Sequence, residues 1–143
     1  MKASRYFPQY FETIFQGLKS IDSTELEQAA AMVWSVRQSG KKVIVVGNGG
    51  SAAMASHVTV DFVKAASIRA INFNEADLIT CFANDYGFDN WIKHAINFYG
   101  DSGDILIAIS SSGKSKDIIN GCNSARENNF SKIVTFSGFD ENN

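Results

Sequence analysis

Proline occurs once in the 143 residues, cysteine twice and histidine twice. Each scarcity excludes something. Cys81 and Cys122 lie in apolar or helical contexts without a CxxC spacing, so neither a disulfide framework nor a cysteine zinc site is expected. Both read as reduced packing thiols of a cytoplasmic protein. No basic run is dense enough to neutralise a row of phosphates, and 13 basic against 15 acidic residues leave a net charge of −2. Nucleic acid is therefore not an expected partner, and a small ligand fits better. Long apolar segments are missing too. The opening MKASRYFPQYFETIF is interrupted by Pro8, Gln9 and Glu12, which argues against a signal peptide or a membrane span. At this length the chain is the size of one domain, 1–143, able to bury a core without metal or disulfide staples.

What the sequence does have is a centre, KVIVVGNGGSAAMASHVTVDFVK from Lys42 to Lys64. Val43-Ile44-Val45-Val46 is too short for a helix and β-branched throughout, the pattern of a parallel strand buried on both faces. Gly47, Gly49 and Gly50 then allow a tight turn that a ligand can approach closely. Ser51 opens a helix whose first N–H groups and positive dipole end suit an anion. Ala55, Val58 and Phe62 form its sheet-facing side, and His57 and Asp61 stand one turn apart on a neighbouring side.

The rest of the chain alternates around this unit. Phe7, Phe11, Ile14, Phe15 and Leu18 recur at helical spacing between Tyr6 and Ile21. Asp22 or Thr24, each with a glutamate three residues on, offers a cap for a second helix that runs through Gln38 and closes at Gly40. Two aromatic-rich helices before any strand suit packing on another subunit as well as on their own chain. A second strand is expected at Arg69–Phe73 and a helical stretch through Phe82. Asn84-Asp85-Tyr86-Gly87 reads as a turn, followed by an amphipathic helix over Phe88–Tyr99. A third strand over Gly103–Ile109, a helix from Lys116 to Asn128 and a fourth strand over Ile133–Phe136 complete a parallel three-layer α/β sheet.

In such sheets ligands sit at the carboxyl ends of the strands, and here two strands end in turns built for anions. One is Gly47–Ser51. The other is Ser110–Ser115, four serines in six residues, whose hydroxyls beside a helix N-terminus are what a phosphate monoester requires. Serine and glycine are also ordinary loop and cap residues, so it is the pairing of the two loops that points to function. Two nucleotide motifs come close. Gly47 to Ala52 satisfies G-x-G-x-x-A, with Glu75 near the end of the second strand, but that strand closes on asparagine and the serine cluster stays unexplained. Ala108–Ser115 lacks the first glycine of a Walker A loop, and no apolar strand ending in aspartate follows it to hold magnesium. No nucleotide cofactor is expected.

The segments VVGNGGSAAMASH, CFANDYGF, GDILIAISSSGKS and KIVTFSG, in this order and spacing, resemble the sugar isomerase (SIS) domain, and within it the phosphoheptose isomerases. The resemblance covers nearly all of the chain. It implies a flavodoxin-like Rossmannoid sheet over 41–143, preceded by a helical pair over 1–40. The implied activity is an aldose–ketose isomerisation of sedoheptulose 7-phosphate to D-glycero-D-manno-heptose 7-phosphate, a step toward lipopolysaccharide. By position, Asn48, Gly49, Gly50 and Ser51 would hold the sugar, Ser110, Ser111, Ser112 and Ser115 the phosphate, and Asp85 would line the site. His57 matches a family histidine, and Asp61 stands where the family has glutamate. The resemblance makes this pair catalytic and, where members bind zinc, metal-ligating. It further implies a homotetramer built on the N-terminal helices. Lys114 replaces the family's asparagine, and the strand and long helix that carry a glutamine and a second histidine in the family have no counterpart within 1–143. Two functions follow: the isomerase, or a catalytically silent SIS domain that binds a sugar phosphate or serves as an oligomeric partner.

Overall fold

Two apolar runs set the architecture. The computed structural model describes residues 3–138; the ends of the domain expected over 1–143, residues 1–2 and 139–143, lie outside the described residues. The elements in order are α1 (Ala3–Lys19), α2 (Ser23–Ser39), β1 (Val43–Gly47), α3 (Gly50–Lys64), β2 (Ala70–Asn72) and α4 (Ala76–Tyr86). A 3₁₀ turn (Phe88–Asn90), α5 (Trp91–Tyr99), β3 (Ile105–Ile109), α6 (Lys116–Glu127) and β4 (Lys132–Phe136) follow. The four strands form one parallel sheet in the order β2-β1-β3-β4.

Side chains of a strand alternate between faces, and both faces here are covered. Val43 and Val45 of β1 and Ile105 and Ile107 of β3 pack with Val33 and Val36 of α2, Ala55 of α3 and Ile68. Ile44 and Val46 of β1 and Leu106 and Ala108 of β3 pack with Trp91, Ile92, Ala95 and Ile96 of α5 and Ile118, Cys122 and Ala125 of α6. These central strands are therefore apolar at every position. Each valine, isoleucine or leucine among them, buried fully, contributes about 1.5–3 kcal/mol.

The chain divides into two compact units, with the boundary inside α2 after Ala30. In the first unit Asp22 caps α2, its Oδ1 accepting from the N–H and hydroxyl of Thr24 at 2.8 and 2.7 Å. This decides between the two candidate caps. The Thr24 bonds hold the Asp22 carboxyl below its ordinary value. On α1 an apolar stripe that includes Phe7, Phe11, Phe15 and Leu18 is exposed, with Tyr6 stacked on Tyr10.

The expected turn at Asn84-Asp85-Tyr86 is helical instead. α4 runs on to Tyr86 and stops at Gly87, whose φ is 80°. Packing overrides the turn preference of Asn and Asp: Phe82 and Ala83 lean on the α5/α6 core, and Tyr86 stacks on His94 with ring centroids 3.8 Å apart.

At the amino ends of β1 and β3, Lys42 and Asp104 are both buried. The Lys42 ammonium lies 2.6 Å from carboxylate oxygens of Asp101 and Asp104. Asp104 also accepts from the N–H groups of Lys42 (3.0 Å) and Asp101 (2.8 Å). This lock sits at the opposite end of the strands from the two candidate loops.

Candidate functional site

From β1 the chain passes through α3 to β2 on one side, then crosses back through α4 and α5 to β3 on the other. The loops after β1 and β3 thus diverge at the switch point of the sheet, where open α/β folds place ligands. The two strand ends are direct partners, with Gly47 opposite Ile109.

The first loop is shaped by crowding at Gly47. A Cβ there would lie 2.7 Å from the Ser51 carbonyl carbon and 2.8 Å from its oxygen, so only glycine lets α3 fold back so closely on the strand. Gly49 follows with φ 54° and leads into α3, which begins at Gly50. The Ser51 N–H turns back to the Asn48 carbonyl at 2.9 Å. Asn74, just past β2, fastens the start of α3 by donating to Ala52 O and Ser56 Oγ, each at 2.8 Å.

The second loop uses its serines differently from ordinary caps. Ser115 occupies the N-cap of α6 but makes no side-chain cap bond. Ser110 Oγ instead donates to Ser115 Oγ at 3.4 Å, and Ser112 Oγ accepts from the Lys114 N–H at 3.1 Å. The Ser110 N–H reaches Phe136 O and the Gly138 N–H reaches Ser111 O, each at 3.0 Å, so the end of β4 braces the loop. A cap serine that does not cap leaves the first turn of α6 available to an outside acceptor. Ser110 is buried, Ser112 and Ser115 are half-buried and Ser111 is exposed. Lys114 is exposed as well.

The two loops are joined by a contact that sequence reasoning missed. Asn48 Nδ2 donates to Asp117 Oδ1 and Oδ2 at 3.0 and 2.8 Å, and Trp91 Nε1 donates to Oδ2 at 3.3 Å. Asp117 is 3% exposed. One signal was legible: Asp117, Gly121 and Ala125 follow at i, i+4 and i+8, which places an acid on the buried stripe of α6.

The remaining candidates have partners of their own. Asp85 is in the last turn of α4, exposed, where it accepts from Asn84 Nδ2 at 2.8 Å and lies 3.7 Å from Cys81 Sγ. His57 Nε2 stands 3.6 Å from Asp61 Oδ2, the expected spacing, with side chains 80% and 60% exposed. They are roughly 10 and 16 Å along α3 from Gly50 at the standard helical rise. As a zinc site the pair supplies two donors, where a catalytic zinc takes three protein ligands. Among the described residues no cluster of three or more His, Cys, Asp or Glu is placed to hold a metal. Nor is any described helix long and apolar enough to cross a membrane.

Known proteins are similar to this chain in sequence and in fold. A phosphoheptose isomerase of Bradyrhizobium sp. (strain BTAi1 / ATCC BAA-1182) is 38% identical over 110 residues, which cover 73% of this chain and 56% of that protein. One of Sulfurimonas denitrificans is 33% identical over 129 residues, covering 86% and 65%. The chain therefore spans between about half and two thirds of the length of these relatives. Among solved structures, phosphoheptose isomerase GmhA from Neisseria gonorrhoeae superimposes with a TM-score of 0.87 at 28% identity, over 96% of this chain and 75% of that one. A phosphoheptose isomerase from Francisella tularensis gives 0.87 at 27%, over 96% and 76%. The family model for the SIS domain matches residues 6–137. With a parallel sheet of the same shape and a match over nearly its whole length, the chain belongs to the SIS domain family.

Proposed function

We propose that the protein binds a sugar phosphate across its two loops and acts as an aldose–ketose isomerase, converting sedoheptulose 7-phosphate to D-glycero-D-manno-heptose 7-phosphate. The observation that carries this reading is the hydroxyl-rich turn at an uncapped α6 N-terminus, tied through Asp117 to the glycine turn on the neighbouring strand. The serine loop suits the phosphate and the Asn48–Ser51 turn suits the carbohydrate. Relatives that carry the name phosphoheptose isomerase support the choice of a seven-carbon ketose phosphate.

Isomerisation moves a proton between adjacent carbons through an enediol, so it needs a base near both carbons and a group that polarises the carbonyl. His57 and Asp61 are the candidates in this chain. Their distance along α3 separates them from the loops of the same chain, and a second copy would bring a base to those loops. We therefore read the active form as a homo-oligomer, a tetramer by resemblance, with the exposed stripe of α1 as its contact. A zinc ion would take His57 and Asp61 as two of its ligands and would need a further donor from outside the pair.

Incubation with sedoheptulose 7-phosphate tests the reading. Aldose product should form, with a rate that rises more steeply than the first power of protein concentration. A second reading, the silent sugar-phosphate-binding domain, is favoured by the solvent exposure of His57 and Asp61; it predicts binding without product. In either case Ser112→Ala removes a hydroxyl whose oxygen is engaged by the Lys114 N–H and whose proton is left to donate. It should weaken phosphate binding by about 1–2 kcal/mol, and calorimetry showing an unchanged affinity would eliminate that contact.

A further inference from the structure

We infer that Asp117 is a positioning residue which sets the polarity of Asn48, so that the carbohydrate end of the site selects a ligand by a hydroxyl that donates to Asn48 Oδ1. The inference rests on the sugar-phosphate reading and adds to it what the glycine turn recognises. A terminal amide has one donor end and one acceptor end, and it can turn either toward a ligand. Here the choice is made by chemistry. Both Asp117 oxygens accept: they face Asn48 Nδ2 at 3.0 and 2.8 Å, and Oδ2 also takes the Trp91 indole N–H at 3.3 Å. Turning the Asn48 amide over would set its oxygen against a carboxylate, a repulsive pairing. The nitrogen is thus committed inward, and Oδ1 is the end that Asn48 offers.

Burial makes the arrangement costly to keep for packing alone. Asp117 is 3% exposed and Trp91 2%, and the side-chain donors to the carboxylate are a neutral amide and a neutral indole. A hydrophobic residue would fill the same space without the desolvation cost of an acid. The acid also spans the site. It lies two residues beyond Ser115, in the first turn of α6 where a negative charge is favoured, and it reaches the first loop 69 positions away in sequence. One side chain therefore fixes the distance between the phosphate turn and the sugar turn, and also which end of Asn48 the sugar meets.

The test compares inorganic phosphate, which needs only the serine loop, with sedoheptulose 7-phosphate, which needs both. In Asp117→Asn the new amide can donate to Asn48 Oδ1 and let the Asn48 nitrogen turn outward. The expected result by calorimetry is an affinity for the ketose phosphate reduced about tenfold, the usual scale of one mispaired hydrogen bond, with phosphate affinity within about twofold of the starting protein. The double variant Asn48→Asp with Asp117→Asn exchanges the two groups and restores the pattern. Its amide on α6 can donate to the carboxylate on the glycine turn and accept from Trp91, and the carboxylate keeps an acceptor facing the sugar. This variant should recover most of the ratio between the two affinities. An unchanged ratio in Asp117→Asn, or no recovery in a folded double variant, would overturn the inference while leaving the sugar-phosphate site intact. Failure of the unaltered protein to bind either compound would overturn both. Should Asp117→Asn not fold, side-chain amide exchange by NMR in the unaltered protein still decides. Asn48 should exchange more slowly than the exposed Asn123, and equal rates would contradict the assignment.

Discussion

Alanine at Asp104 is expected to lower the free energy of unfolding by roughly 3–5 kcal/mol, the cost of removing one partner from a buried ion pair. Asp104 is fully buried and serves three groups at once: the Lys42 ammonium at 2.6 Å and the N–H groups of Lys42 and Asp101 at 3.0 and 2.8 Å. The substitution leaves both N–H donors without that acceptor and the buried ammonium with only the exposed Asp101 opposite. Asp104→Asn keeps the shape and one acceptor, and should cost roughly half as much. Denaturant melts of the three proteins measure the series. A loss below about 1 kcal/mol for Asp104→Ala would show that the lock does not hold this end of the sheet.

The same lock predicts a pH dependence. Burial would lower the Lys42 pKa, but the hydrogen bonds and charges of Asp101 and Asp104 outweigh it and the net shift is upward. Asp101 shifts down, chiefly through its hydrogen bond from Lys42 and then through the lysine charge. A lysine whose folded pKa is raised contributes stability that is complete below its unfolded value and lost as pH climbs through the folded one. An aspartate whose folded pKa is depressed contributes stability that is complete above its unfolded value and lost as pH falls through the folded one. Stability from this cluster should therefore hold across neutral pH and decline above the ordinary lysine range and below the ordinary carboxylate range. In Asp104→Ala the alkaline decline should be shallower, since part of the lift on Lys42 is gone.

Alanine at Gly47 is expected to damage site and fold together. Its methyl would meet the Ser51 backbone at 2.7–2.8 Å, contacts that only a shift of the main chain can relieve. Opening the turn costs about 1–3 kcal/mol, as overpacking does, and draws Asn48 away from Asp117, so sugar-phosphate affinity should fall more than tenfold. Gly50 is the control. Nothing lies within 4 Å of a Cβ built there, and Gly50→Ala places a better helix former at the start of α3. Its stability should match or exceed that of the unaltered protein. Any loss of binding in Gly50→Ala with stability retained would then report close approach of the ligand to that backbone. Equal stability of the two variants would refute the crowding argument.

The sheet was legible because its central strands are buried on both faces: Val43–Val46 and Ile105–Ile109 carry no polar residue to blur the pattern. The two loops were legible because their composition is extreme. The i, i+4 spacing of His57 and Asp61 gave their mutual contact but not their exposure, which depends on what covers α3. Tertiary packing extended α4 through Asn84-Asp85-Tyr86 against local turn preference, and the division inside α2 follows from Val33 and Val36 joining the sheet core. The junction of Asn48, Asp117 and Trp91 could not be read in advance, since it pairs residues 69 and 26 positions apart. Only the sheet order β2-β1-β3-β4 brings them together.

A backbone amide titration by NMR with sedoheptulose 7-phosphate tests most directly whether the glycine turn and the serine turn hold one ligand between them. Resonances of residues 48–52 and 110–117 should move together and saturate with one dissociation constant, while inorganic phosphate moves the second group alone. Shifts confined to one loop with the sugar phosphate, or two loops saturating with different constants, would contradict a shared site.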